Sequence, residues 1–135
     1  MITIIIIVLL EEQMKKYSRQ RDAVYAAVCR TVLHPTAATV FREVSGEIPN
    51  ISLATVYRNL SDLCDDGKLI RIVSDDGVTH YDANVERHHH LTCSECGTVV
   101  DVPIQLNIDI SSVTDCKITD YEVMFYGKCP NCSKK

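Results

Sequence analysis

The sequence lacks an apolar run long enough to cross a membrane. Its longest run, from Ile2 to Leu10, covers nine residues, whereas a spanning helix needs about 20. The run also lacks the basic start and small-residue cleavage site of a signal peptide, and it continues directly into Glu11 and Glu12. We therefore expect no membrane partner. We interpret residues 1–13 as an atypical N-terminal extension, with an added strand or a dimer contact as the alternative.

The chain also lacks internal repeats, low-complexity tracts and Gly/Ser linkers. Its 135 residues fit one domain, or two small ones, better than a large enzyme. The 7 cysteines are an odd number, and two Cys-x-x-Cys pairs near histidines favour metal binding in a reducing compartment over a disulfide framework. We therefore expect a cytoplasmic protein.

Charge is unevenly distributed along the chain. Residues 14–42 contain six Lys and Arg against one Asp, whereas residues 81–135 contain five basic and eight acidic residues. This asymmetry predicts a polyanionic partner for the N-terminal part only. An ordinary solvated helix face would produce the same composition.

Residues 14–82 have the pattern of a winged helix-turn-helix domain. Apolar spacing predicts one helix over Ser18–Val32 and two more that begin after the N-cap residues Thr36 and Ser52. Two short strands then flank Asp76 and Gly77, a dipeptide typical of hairpin turns. The third helix is predicted to bury one stripe, formed by Leu53, Val56, Leu60 and Leu63.

The third helix of such a domain can enter the major groove of DNA, with the hairpin as the wing. Tyr57 and Arg58 are predicted to lie outside its apolar stripe, where they can contact bases or phosphates. The same two residues can equally coat a solvated helix.

A short polar hinge is predicted at residues 83–87, followed by a small α+β module over residues 88–135. The segments "HLTC" and "TVVDV" are predicted as strands that flank the Cys93–Cys96 knuckle, and "YEVMFYGKC" has the alternation of a half-buried strand. A short helix is expected between Pro103 and Val113. Cys29 and Cys64 are expected to be small core residues, while nothing in the sequence decides between core and surface for Cys116.

Two Cys-x-x-Cys knuckles predict a structural zinc site. They are separated by 32 residues, somewhat more than in most zinc ribbons. Zinc accepts four thiolates in tetrahedral geometry, and a site closed in this way leaves no open position for catalysis. The predicted ligands are Cys93, Cys96, Cys129 and Cys132.

The histidines require a second site, because four sulfurs already saturate the zinc. His88 and His90 alternate, so on a strand they project to one face and can reach one cation. Asp82 and Asp101 can add oxygen ligands, whereas only the fold can bring His34 close. Nitrogen and carboxylate ligands of this kind suit Fe(II) or Mn(II), although zinc also accepts them. His89 is expected to be a solvent-exposed residue that binds no metal.

The motifs together resemble the ferric uptake regulator family of bacterial metal-responsive repressors. The resemblance rests on "HPTAATVF", "PNISLATVYRNL", "THYDAN", "HHHLTCSECGTVVDV" and "YGKCPNC", and it covers nearly all of residues 14–135. It implies an α+β protein in which an N-terminal winged helix-turn-helix domain precedes a small α/β dimerisation domain. It also implies a homodimer that binds double-stranded operator DNA with an inverted repeat.

The resemblance assigns roles to the candidate residues. It implies structural Zn²⁺ on the four cysteines and regulatory Fe²⁺ or Mn²⁺ on His34, Asp82, His88, His90 and Asp101. Iron sensors of the family usually carry glutamate where this chain has Asp82 and Asp101, which favours the peroxide-sensing members. In those members, iron-catalysed oxidation of a ligand histidine releases DNA, and His34 and His88 match the oxidised positions. The candidate DNA-binding residues are Arg19, Thr55, Tyr57, Arg58 and Asn59.

Alternatives to a peroxide sensor remain. Within the family, the chain can be an iron, manganese or zinc uptake regulator that senses metal alone. A metalloenzyme would need a substrate pocket and a nucleophile or general-base motif, and no such motif accompanies the ligands. A zinc-ribbon interaction module explains the cysteines but not the winged helix. We therefore expect a protein that is not an enzyme and takes no small-molecule substrate apart from peroxide as a signal. Arg87, which stands where many relatives have histidine, predicts that a further metal site is missing.

Overall fold

The computed structural model describes residues 1–110 and 115–134. Within these residues the α-helices are α1 (Ile2–Cys29), α2 (Ala37–Glu47), α3 (Leu53–Asp65) and α4 (Pro130–Ser133), and the strands are β1 (Ile70–Val73), β2 (Thr79–Asp82), β3 (His89–Cys93), β4 (Val99–Val102) and β5 (Met124–Gly127). The predicted α+β class is confirmed. The chain forms two compact units, one of residues 1–72 and 79–85 and the other of residues 73–78 and 86–135. The hinge boundary predicted at residues 83–87 and the tasks assigned to each domain remain predictions.

Helix α1 is longer than its periodicity predicts. It begins at Ile2 instead of Ser18 and ends at Cys29 instead of Val32. No Gly or Pro occurs in residues 1–29, and once a helix exists each further residue adds a hydrogen bond at small cost. The alternative of an added strand in the extension is therefore wrong, because residues 2–13 are helical. The large apolar side chains from Ile2 to Leu10 are exposed, but no helix among the described residues has the length and apolar character needed to cross a bilayer.

The first unit contains three helices followed by the two-stranded β1–β2 sheet, which is the winged helix-turn-helix order. Both predicted caps are present, since the side-chain oxygens of Thr36 and Ser52 accept hydrogen bonds from the main-chain N–H groups of Thr39 and Thr55. The helices bury an apolar core that includes Val24, Ala27, Val40, Val44, Val56, Leu60, Leu63 and Leu69. Leu53 was predicted to belong to this core but is 41% exposed, because it occupies the first turn of α3.

The second unit is built on a three-stranded sheet in the order β4–β3–β5. The central strand β3 pairs antiparallel with β4 and parallel with β5. The three predicted strand segments are confirmed. The helix expected over 103–113 is absent from residues 103–110, and the remainder of that prediction lies outside the described residues.

The buried cluster of the second unit is small and consists of three cysteines. Cys93, Cys129 and Cys132 are its buried members, with Val100 packed against them. Small units with little apolar burial usually need a disulfide or a metal for stability. The fold therefore places the cysteines where a metal would contribute most to stability.

Candidate metal centres and nucleic-acid interface

The four predicted cysteines converge within the second unit. Their sulfur atoms lie within 4.8 Å of one another, and Cys96 Sγ is 3.7 Å from Cys129 Sγ. The first knuckle turns at Gly97, whose φ of 73° favours glycine, and the Gly97 N–H donates to the Cys93 carbonyl at 3.0 Å. The Ser94 N–H donates to the Gly127 carbonyl at 2.8 Å, which holds this knuckle against β5 and the segment leading to the second knuckle.

Two of the four thiols, those of Cys93 and Cys132, have pKa values shifted in opposite directions. Main-chain N–H groups of Cys129 and Cys96 donate to the Cys93 sulfur and lower the pKa of that thiol to about 6. Hydrogen bonding with the Cys129 sulfur, together with desolvation, raises the pKa of Cys132 to about 12. Thiolates that lie close together repel one another, so some of the thiols stay protonated. A bound cation offsets this repulsion and stabilises all four as thiolates. The donor set is that of a closed tetrahedral zinc site.

His34 and Asp82 lie close together within the first unit. His34 Nε2 is 3.6 Å from Asp82 Oδ2, and both side chains are more than nine-tenths buried. The Asn84 N–H donates to Asp82 Oδ1 at 2.9 Å, which orients the carboxylate. One imidazole nitrogen and one carboxylate oxygen are thus presented together by the loop before α2 and the end of β2.

His88, His90 and Asp101 form a second cluster, which lies within the second unit. Asp101 Oδ1 is 3.0 Å from His88 Nε2 and 3.3 Å from His90 Nε2. His88 Nδ1 lies 2.7 Å from the Glu86 carbonyl, which can only accept, so Nδ1 carries the proton and Nε2 is the nitrogen available to a cation. The imidazole centroids of the two histidines are 4.3 Å apart. The predicted alternation onto one face is therefore confirmed, and the three groups can hold one cation.

Two neighbours of this cluster have other roles. His89 was expected to be exposed but is buried, with its imidazole 6.4 Å from the Phe125 ring in edge-to-face geometry. It faces the opposite side of β3 because successive strand residues alternate. Arg87 pairs with Asp120, donates to the Tyr121 carbonyl at 2.8 Å and lies over the Tyr121 ring. This ion pair lowers the pKa of Asp120. Because position 87 is occupied by a guanidinium, it offers no metal-binding nitrogen.

The candidate DNA-binding residues separate into exposed and buried groups. Tyr57 is 52% exposed, and Arg58 and Arg19 are exposed on the same unit. The Arg58 guanidinium lies 5.9 Å above the Tyr17 ring. Thr55 is half-buried and is engaged with the Ser52 cap. Asn59 is only 8% exposed because, three positions after Val56, it shares the buried face of α3. Of the five candidates it is the least accessible to DNA, and its contact stays a prediction.

The other cysteines also differ from expectation in part. Cys29 was expected in the core but is exposed, because it is the last residue of α1. Cys64 is half-buried and packs against the core of the first unit, as predicted. Cys116, which the sequence left undecided, is exposed.

Sequence reasoning missed the polar groups that hold the ligands. The main-chain groups of Asn84 and Glu86 and the imidazole of His80 contact the candidate ligands directly. Main-chain donors and acceptors leave no mark in a sequence. For His80, the available signal was its alternation with Asp82 along β2.

Comparison with known proteins gives a consistent result. The model of the ferric uptake regulator family matches residues 12–126. The chain is 34% identical over 120 residues to the peroxide-responsive repressor PerR of Staphylococcus aureus, a match that covers 86% of this chain and 81% of that relative.

Solved structures show similar folds. The Campylobacter jejuni peroxide stress regulator has a TM-score of 0.70 at 27% identity, covering 93% of this chain and 98% of that chain. The ferric uptake regulator of Helicobacter pylori has a TM-score of 0.71 at 19% identity, covering 96% and 93%, which is a likeness of fold alone.

Proposed function

We propose, from the premise that the chain belongs to the ferric uptake regulator family, that it is a metal-dependent DNA-binding repressor that senses peroxide. A relative that is 34% identical over 120 residues is named a peroxide-responsive repressor, and a structure of similar fold is a peroxide stress regulator. The proposed protein is a cytoplasmic homodimer on inverted-repeat operator DNA, and it is not an enzyme.

The proposed structural zinc is held by Cys93, Cys96, Cys129 and Cys132. The convergence of their four sulfurs supports this assignment. Zinc there ties the strand β3 to the segment after β5, in a unit whose buried cluster is small. It takes no part in sensing, because the site is coordinatively closed.

The proposed regulatory site combines the two nitrogen and oxygen clusters. Each cluster presents ligand atoms whose orientation is set by hydrogen bonds, an arrangement that favours metal binding. Three imidazole nitrogens and two carboxylate oxygens suit Fe(II) or Mn(II). The ligands are His34 and Asp82 from the first unit, and His88, His90 and Asp101 from the second.

A site shared in this way couples metal binding to DNA binding. If all five ligands bind in only one arrangement of the two units, metal shifts the population toward that arrangement. If that arrangement also suits two successive operator half-sites, bound metal raises the affinity for DNA. By linkage, bound DNA raises the affinity for metal by the same factor. Metal is then the corepressor.

Peroxide would reverse repression through the ligand histidines. Bound Fe(II) supplies the reducing power that activates peroxide, and Mn(II) does not. One peroxide oxygen would be inserted into a C–H bond of the His34 or His88 ring while the other leaves as water, and the oxidised ring would be a weaker ligand. The buried position of the His34 side chain keeps bulk solvent from the ring, which favours oxidation at the site over loss of the oxidant to solution.

The exposed face of α3 is the proposed DNA contact. Tyr57 and Arg58 are exposed there, and Arg19 adds positive charge from α1. Arginine recognises guanine or phosphate with a planar set of donors. Binding should weaken steeply as salt rises, because bound phosphates release counterions.

The experiment compares the Fe(II) and Mn(II) forms of the zinc-loaded protein. Each is exposed to peroxide, and operator binding is followed together with the masses of the His34 and His88 peptides. Loss of binding with a gain of one oxygen, in the iron form only, is the expected result. Metal-dependent binding that ignores peroxide in both forms would favour the alternative, a regulator of iron, manganese or zinc uptake. Catalytic turnover of peroxide would favour a metalloenzyme.

A further inference from the structure

His80 is a buried histidine on β2 that belongs to neither candidate metal centre. It is 7% exposed. Its Nδ1 lies 2.7 Å from the main-chain oxygen of His34, and because a carbonyl can only accept, Nδ1 carries the proton and donates. A buried N–H group without a partner would be costly, so this bond satisfies His80 Nδ1 while it holds the main chain of His34, two residues before the N-cap of α2.

Further bonds make the segment 34–36 a short partner of β2. The Tyr81 N–H donates to the Pro35 carbonyl at 3.0 Å, and Thr36 pairs with His80 in an antiparallel bridge. Pro35 restricts His34 to extended conformations, while Thr36 caps α2. The position of the His34–Pro35 peptide is therefore fixed by two contacts: His80 binds the His34 carbonyl, and the chain two residues later begins α2.

The same strand carries Asp82. His80 and Asp82 are two residues apart on β2, so they project to the same face. Strand β2 thus contacts His34 twice. The His80 side chain binds the His34 main chain, and the Asp82 carboxylate lies 3.6 Å from His34 Nε2. Loss of the His80 bond would let the His34 imidazole move relative to the Asp82 carboxylate.

We propose that His80 is a positioning residue for the regulatory metal: its Nδ1–H···O=C bond to His34 holds the His34 imidazole beside Asp82 before metal binds. The proposal rests on the function proposed above. Groups that orient metal ligands through hydrogen bonds affect metal affinity about 10–100-fold, because the protein must otherwise order the ligands when metal binds.

The test measures the Mn(II) dissociation constant of the full zinc-loaded chain by the electron paramagnetic resonance signal of free Mn(II). His80→Leu keeps the volume but removes the donor, and we expect binding at least about tenfold weaker. His80→Asn places an amide N–H near the position of Nδ1, and we expect it to restore affinity. If His80→Leu does not fold, His80→Gln replaces it, since its amide lies one bond further out and misplaces the donor.

A matched control separates positioning from stability. Val44 is fully buried on α2 as part of the apolar core of the first unit, and it belongs to neither candidate metal centre. Val44→Ala should lower the free energy of unfolding without changing Mn(II) affinity. Wild-type affinity in His80→Leu, or equal weakness in His80→Asn and His80→Leu, would overturn the proposal while the regulatory site stands. Mn(II) binding that is unaffected by His34→Ala would instead overturn the proposed function, and the role of His80 with it.

Discussion

His90 on β3 lies directly opposite Asp101 on β4, with His90 Nε2 3.3 Å from Asp101 Oδ1. Their proximity follows from the register of one antiparallel pair. A shift of one residue would turn Asp101 to the other face of the sheet. The register is maintained by the turn at Gly97, which also brings Cys93 and Cys96 together. One short hairpin therefore arranges ligands for both candidate metals.

Replacing a zinc ligand should destabilise the second unit. Cys96→Ser is expected to abolish stoichiometric zinc and to lower the unfolding temperature of the chain, because the small sulfur-rich cluster loses its metal. Zinc content by elemental analysis and thermal unfolding by circular dichroism provide the measurements. Cys116→Ser is the control, since Cys116 is exposed and belongs to no cluster of four sulfurs. Full zinc content in Cys96→Ser would contradict the assignment.

Removing Arg58 should weaken operator binding. Arg58→Ala is expected to reduce affinity by about tenfold or more and to lower the slope of binding against salt, as loss of a base or phosphate contact does. Fluorescence anisotropy of labelled operator at several salt concentrations measures both quantities. Lys128→Ala removes the same charge from the second unit, where Lys128 pairs with Glu95 at 2.9 Å, and should have little effect. Equal losses in the two variants would indicate general electrostatic attraction alone.

Deleting residues 1–11 should leave stability unchanged. No side chain in this segment is buried, and changes at exposed positions usually alter stability by less than about 0.5 kcal/mol. Urea unfolding of the truncated and complete chains tests this expectation, with Val24→Ala as a control that should cost about 1–3 kcal/mol, because Val24 is fully buried. A large loss of stability on truncation would show that the apolar segment is buried in solution, as the dimer contact considered for it requires.

The metal-free, reduced chain should lose stability as pH falls. The ordinary pKa of a cysteine is 9.0, and in the folded chain hydrogen bonds from main-chain N–H groups lower that of Cys93 to about 6. A lowered pKa gives stabilisation that is complete above the unfolded value and disappears as pH falls through the folded value. Cys132, with its pKa raised to about 12, stays protonated in the folded chain across this window, and in the unfolded chain it ionises only at the upper end, near its ordinary pKa of 9.0.

Urea unfolding between pH 9 and pH 5 measures this dependence, and ultraviolet thiolate absorbance follows the ionisation itself. Cys93→Ser should flatten the change in stability and remove the absorbance step near pH 6. A step that persists in Cys93→Ser would assign the low pKa to another thiol.

The sequence alone was sufficient wherever a property depends on local pattern. Thr36 and Ser52 were recognisable as caps because capping uses neighbouring residues. The cysteine knuckles were recognisable because two thiolates three positions apart can reach one ion. The order of predicted helices and strands indicated the winged helix, and the family resemblance added roles for the candidate ligands, which remain proposals.

Tertiary structure decided the properties that depend on distant parts of the chain. Which face of α3 meets the core determined that Asn59 is buried while Tyr57 is exposed. Strand pairing determined that Asp101 meets His90, and that His80 reaches the main chain of His34 across 46 positions. A sequence records the identity and order of side chains. Burial and hydrogen bonding to the main chain depend on which segments pack together, and here that packing determined the orientation of the candidate ligands.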